Sequence, residues 1–243
     1  MKGTLPMGTP NLLRPGTLTL CSTDIAAPPM TSVIDGQRQG YEPDLARAIA
    51  EDLGVKLGWV DVRRWADFST RLFDNECDAI LCNQAVTPER AKVYAYTRPY
   101  GRFDEGIVVR SDSGVRAHYD LAGLRVGAIT DTTNLVLAKQ FAGAEVVEFG
   151  SGDNAFQEMA DATLNGDIDA MVDDELVLPA LTASGELRVA FVVPTQNPYS
   201  IALRPESADL LEVLDASLAR LIEAGTVAEI WARHFPGRTC PQL

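Results

Sequence analysis

Directly after the apolar run Asp78 to Cys82, the segment VTPER, Val86 to Arg90, reads as a helix start, with Thr87 a favourable N-cap and Pro88 suited to the first helical position. Arg90 then falls in the first turn, where a cation opposes the helix dipole by about 0.3–1 kcal/mol. The placement makes sense if the guanidinium points into a cleft and grips an anion; a surface or structural salt bridge would serve it equally. Farther along, TDTTN, Thr130 to Asn134, precedes the helical run Leu135 to Phe141. Its backbone N–H groups and the Thr132 hydroxyl form either an anion site or a simple helix cap. Arg90 and Thr132 come from opposite halves of the chain, so halves that face each other would hold one carboxylate with both.

Asp173, Asp174 and Glu175 follow the apolar run DAMV with no basic neighbour, and their repulsion has no local compensation. A bound cation would supply it, and so would solvent around a loop of an acidic protein. Asp24, at the end of the first strand candidate, invites the same comparison. Trp65 and Phe68 lie just before a helix, as an aromatic wall for a ligand or as core. The sequence contains no G-x-S-x-G elbow, no P-loop, no dinucleotide G-x-G-x-x-G and no convincing Cys and His pair. His118 sits in a polar loop, and His234, beside Trp231 and Phe235, reads as a packing or surface residue.

These residues need a frame, and the composition bounds it. The chain has 243 residues, 46% hydrophobic and 23% charged, enough for one large domain or two lobes. Its 21 Lys and Arg against 34 Asp and Glu give a net charge of -13, opposed to phosphate backbones and anionic lipid surfaces. No window offers the roughly 20 apolar residues of a membrane-spanning helix, and the start lacks the roughly 7–15 residue apolar run of a signal peptide. The expectation is a cytosolic chain or one whose targeting segment is absent. Cys21, Cys77, Cys82 and Cys240 show no C-x-x-C spacing, so neither metal nor cofactor is implied.

The elements repeat one plan. GTLTLCSTD from Gly16 and GLRVGAITD from Gly123 are strand candidates that end in polar residues. Each is followed by helical segments and then by an acid, Ala and a buried apolar run, NECDAILCN from Asn75 and NGDIDAMVDD from Asn165. Leu45, Ile49 and Leu53 recur at helical spacing behind Pro43 and Asp44, with Gly54 as the stop. Phe156, Met159, Ala160 and Leu164 do the same before Gly166. A longer helix around Leu210 to Ile222 and another holding Val227, Ile230 and Trp231 read as core packing. Alternating strands and helices predict an α/β fold of two lobes, each a mostly parallel sheet flanked by helices, with ligands outside the carboxyl ends of the strands. That rule points to Asp24, Asn83, Asp131 and Asp173 to Asp174.

Together these residues resemble the family 3 solute-binding proteins, the amino-acid receptors of ABC transporters with the type II periplasmic-binding fold. The resemblance runs from about Gly16 to Gly237. It rests on GYEPDLARAIAEDLG from Gly40, DAILCNQAVTPERAK from Asp78, RPY at Arg98, DLAGLRVGAITDTTN from Asp120, GDIDAMVDDE from Gly166 and LIEAGTVAEIWARHF from Leu221. It implies a discontinuous lobe one, residues 1–107 and 199–243, and a lobe two, residues 108–198. Two crossing strands near Gly106 to Arg110 and Thr195 to Ile201 would join them around the ligand cleft. By position, Arg90 matches the partner of a ligand α-carboxylate, Thr132 its helper from the second lobe, and Asp174 the acceptor of the α-ammonium. Asp24 corresponds to an acid that contacts the ligand side chain, Phe68 to an aromatic packed on the ligand, and Asn83 to a backbone-contact position. Ala85 stands where many members carry a Ser or Thr, Ala27 where an aromatic often covers the ligand, and Asp131 where Gly is usual.

The resemblance thus implies an extracytoplasmic, monomeric receptor with no cofactor, one that captures a small polar amino acid and delivers it to an ABC permease. Asp24 beside Asp174 would favour a cationic or amide-bearing side chain. The same fold also resembles cyclohexadienyl dehydratases, in which Arg90 would bind a carboxylate and Asp173 or Glu175 would be the general acid. The fold would set Cys21 and Cys82 on neighbouring strands, leaving Cys77 and Cys240 for another pairing. Four cysteines allow three connectivities, and buried free thiols are the alternative.

Overall fold

The run Thr17–Ser22 forms strand β1, apolar and largely buried, as a central parallel strand must be. A computed structural model describes residues 11–150 and 154–241; the lead-in before residue 11 and the last two residues of the expected lobe one lie outside the described residues. The hairpin of β2 (Ser32–Ile34) and β3 (Gln37–Gln39) turns at Asp35 and Gly36, both at positive φ. Helix α1 (Tyr41–Asp52) begins two residues before Pro43, at an N-cap of Gly40. A Cβ on Gly40 would lie 2.4 Å from the Met30 carbonyl oxygen, so this close approach requires glycine. There follow β4 (Lys56–Asp61), α2 (Asp67–Phe73), β5 (Ala79–Ile80), β6 (Ala95–Tyr96) and the ten-residue β7 (Gly101–Arg110).

The second pass comprises β8 (Arg125–Ile129), α3 (Thr133–Ala138), β9 (Glu145–Phe149), α4 (Ala155–Asn165), β10 (Ala170–Asp174) and α5 (Leu178–Leu181). Gly166, at φ 79, ends α4 in the left-handed conformation that its position predicts. The chain returns through β11 (Leu187–Tyr199) and β12 (Ala202–Leu203) and ends in α6 (Ala208–Glu223) and α7 (Thr226–His234).

Two five-stranded sheets result, ordered β4-β1-β5-β12-β6 and β11-β7-β10-β8-β9. Each has a parallel trio, β4, β1 and β5 in one and β10, β8 and β9 in the other, extended by antiparallel strands. In the second sheet β7 pairs antiparallel with β10 and β11, because the chain enters and leaves along this edge. The expected crossing strand at Gly106 to Arg110 is only the far half of β7: pairing with β11 already begins at Gly101 opposite Tyr199, and the expected boundary after residue 107 falls within the strand. An isolated bridge between Ala85 and Tyr199 ties this ribbon to the first sheet's loops.

Alternation in β7 sends Ile107 and Val109 to one face of the second sheet, with Val126 and Val172, and Val108 to the other, with Met159 and Met171. On the first sheet, Leu45, Ile49, Leu214, Leu218 and Trp231 join α1, α6 and α7 in one cluster. Cys21, Phe68, Leu72, Cys77 and Ile80 fill the opposite face. All four cysteines are free. β1 and β5 do run side by side, but the thiol that interacts with Cys21 is Cys77, by a hydrogen bond, and this and burial push Cys21 up. Cys240 packs against the helical cluster instead, so the expected division of partners does not occur.

Candidate functional site

Arg90 leaves the carboxyl end of β5 in a loop, with its N–H donating to Thr87 Oγ1 at 3.2 Å. The expected α-helix start is a single 3-10 turn, Arg90–Lys92, so no helix dipole opposes the guanidinium. Nη1 donates to the Ala85 carbonyl at 3.1 Å, Nη2 donates to the Asp131 carbonyl at 2.6 Å, and the group lies 5.6 Å from the Trp65 ring centre. Burial lowers the Arg90 pKa, although guanidinium remains charged. Among the described residues no carboxylate lies within ion-pair distance of it.

Opposite stands the start of α3. Thr132 is its N-cap: Oγ1 accepts the Leu135 N–H at 3.3 Å and donates to the Ile129 carbonyl at 2.6 Å. Asp131 adopts φ 61, which an Asp tolerates in place of glycine, and its carbonyl rather than its carboxylate touches Arg90.

The third wall is acidic. Asp173 and Asp174 end β10, and Asp174 pairs in register with Glu105 on β7. The Asp174 carboxylate accepts hydrogen bonds from the Asn83 and Asn134 side chains. Burial, then repulsion from Asp173 and Glu105, raises it well above the usual carboxylate range. Asp173 Oδ1 accepts the Asp174 N–H at 2.7 Å, and burial pushes this acid up to about 7. Asp173 Oδ2 and Glu105 Oε1 are buried without a hydrogen-bond partner. Glu42, on α1 and 1% exposed, accepts from Tyr100 Oη and from the Asn83 N–H, both at 2.5 Å, and burial raises it to about 7. The Asn83 N–H also lies 3.2 Å from Tyr100 Oη.

Trp65, Asn83, Ala85, Arg90, Thr132 and Asp174 surround one cavity of about 140 Å³, together with Asp173, Glu42 and Asn134. Two expected residues are not among its lining. Asp24 is held in a two-pronged pair by Arg63, at 3.0 and 2.8 Å. Phe68, 3% exposed, lies beneath Trp65 with ring centres 5.3 Å apart, because Trp65 precedes α2 and remains free to face the cavity. Glu175 is ion-paired with Arg238. Glu42, Glu105 and Asn134 escaped the sequence reading; the signal for Glu42 was an acid on the buried face of an amphipathic helix. Among the described residues no His, Cys, Asp and Glu cluster could hold a metal ion.

The arrangement is a cavity with a cation on one side and a carboxylate on another, joined by apolar walls. Comparison with known proteins fits it. The family described as bacterial extracellular solute-binding proteins, family 3, matches residues 20–237. The ABC transporter arginine-binding protein 1 of Escherichia coli K12 is 28% identical over 217 residues, 86% of this chain and 87% of that protein. A crystal structure of a mutant of ArgBP from T. maritima superposes with a TM-score of 0.81 at 31% identity, covering 90% of this chain and 95% of that one. An ancestral amino acid-binding protein, described as a precursor of cyclohexadienyl dehydratase, gives 0.79 at 26% identity, covering 90% and 95%.

Proposed function

Since the chain belongs to the bacterial extracellular solute-binding proteins of family 3, we propose that it is a non-catalytic receptor for a free amino acid. Arg90 takes the ligand's carboxylate, with the start of α3 at Thr132 beside it, and Asp174 takes the ammonium. One observation carries this reading. A guanidinium whose bonds among the described residues go to carbonyls, and a carboxyl repelled by Asp173 and Glu105, line the same cavity, and a zwitterion supplies each with an opposite charge. The two sheets act as lobes that close over the ligand, and the closed form docks on an ABC permease as a monomer outside the cytoplasm.

A panel of the twenty amino acids against the purified chain tests this by thermal shift. Ligand at about 100 times Kd adds about 2.7 kcal/mol, a rise of roughly 5–10 °C for a chain of this size. No shift from any amino acid would defeat the proposal. A second reading, a dehydratase-like enzyme, draws on Asp173, a buried acid raised to about 7 on the cavity wall that would donate a proton to a leaving hydroxyl. Adding prephenate to the panel and following phenylpyruvate absorbance separates the two.

A further inference from the structure

A second cavity, of about 130 Å³, adjoins the first and shares Thr23, Ala27, Trp65, Cys82, Ile129 and Phe156 with it. Its remaining walls include Phe68 and Ala155, and its rim carries Arg63 and Arg64. No carboxylate occurs among its described lining residues. The acid expected to read the ligand side chain, Asp24, has both oxygens engaged by Arg63, and the Arg63 hydrogen bond holds its carboxyl below the usual range. Arg64 is likewise paired, with Asp67 at 2.9 Å. Burial pushes the Cys82 thiol up, which keeps it neutral.

A guanidino or ammonium side chain entering this space would shed water for aromatic and aliphatic walls and, among the described lining residues, would meet no carboxylate, Asp24 being engaged by Arg63. An apolar side chain would gain roughly 1.5–3 kcal/mol from the same walls. We propose that this cavity receives the ligand's side chain and selects an apolar aliphatic or aromatic one, with the Arg63–Asp24 pair as the element that rejects cationic side chains. The inference rests on the amino-acid reading above, and it separates this chain from the relatives named for arginine.

Calorimetric titration of the whole chain with leucine, methionine, phenylalanine, arginine and lysine tests it. The expected result is that the best apolar amino acid binds at least about tenfold more tightly than arginine, a difference of about 1.4 kcal/mol. In Arg63→Ala, which releases Asp24, arginine should gain about tenfold relative to leucine. The Arg63 side chain is 59% exposed, so the variant should fold, and Arg63→Gln serves as a milder version. Arginine binding the unaltered chain as tightly as any apolar amino acid would overturn the selection. An unchanged arginine-to-leucine ratio in both Arg63 variants would overturn the role of the pair. Absence of binding by every amino acid, with Arg90→Ala indistinguishable from the parent, would instead defeat the underlying receptor reading and this inference with it.

Discussion

Arg90→Ala is expected to abolish measurable amino-acid binding while leaving the unliganded protein folded. The guanidinium is half-buried, its other bonds go to the Ala85 and Asp131 carbonyls, and among the described residues it has no ion pair that could stand in for a ligand carboxylate. Removing one partner of a buried, hydrogen-bonded charge pair costs about 3–5 kcal/mol, which corresponds to roughly two to nearly four orders of magnitude in Kd. Arg90→Lys should recover only part of this, since an ammonium lacks the planar fork that matches a carboxylate and sits differently over Trp65. The residue ends no strand and fills no core, so circular dichroism should show the parent's fold. Affinity within a few-fold of the parent would remove the carboxylate clamp from the account.

Asp174→Asn is expected to lose about 2–5 kcal/mol of binding and, with it, the Asp174 share of the pH dependence of affinity, Asp173 and Glu42 on the same cavity keeping theirs. Burial first, and then Asp173 and Glu105, raise the Asp174 pKa in the unliganded protein, whereas the ligand's ammonium requires an ionised carboxylate. Affinity should therefore increase as pH rises through the Asp174 titration, with a proton released on binding, until the ligand amine itself deprotonates. Arg90 faces the same cavity and stays charged throughout, so it contributes no slope. Stability without ligand runs the other way. Glu42 and Asp173 rise from 4.5 and 3.8 to about 7, so their contribution is full below those unfolded values and is lost as pH rises through about 7. Carboxylates held low by arginine, such as Asp52, Asp169 and Asp215, lose theirs only as pH falls through values below 3.8, outside that window. The unliganded melting temperature should thus fall as pH rises between about pH 5 and 7. A parent protein whose affinity does not rise with pH below deprotonation of the ligand amine, or an Asp174→Asn variant that keeps the parent's whole slope, would contradict the assignment.

The two-sheet α/β plan was legible because each sheet's parallel trio is written as apolar runs separated by helical periods with glycine stops, as at Gly54 and Gly166. The antiparallel ribbon of β7 and β11 was less so, since strand direction is set by where the chain crosses between sheets, and no local residue encodes that. Arg90 and Thr132 stood out through the helix-start patterns VTPER and TDTTN, and Asp174 because it lies where an apolar strand run gives way to polar residues. The partners of Asp24 and Cys21 were not visible. Arg63 meets Asp24 across 39 residues, and Cys21, Cys77 and Cys82 share one buried cluster, so sequence position alone does not choose between the two thiols. Trp65 and Phe68, three residues apart, both read as an aromatic wall; α2 begins between them, so Phe68 is buried against the second cavity alone while Trp65 lines both.

The central claim is that one cavity recognises both poles of a zwitterion. The most direct measurement is calorimetric titration, at about pH 8 because higher pH favours the ionised form of Asp174, of the best-binding amino acid beside its decarboxylated amine and its deaminated acid. The account predicts that only the zwitterion binds well, each analogue losing at least about a hundredfold, or about 2.7 kcal/mol. An amine or an acid that binds within a few-fold of the parent amino acid would contradict it.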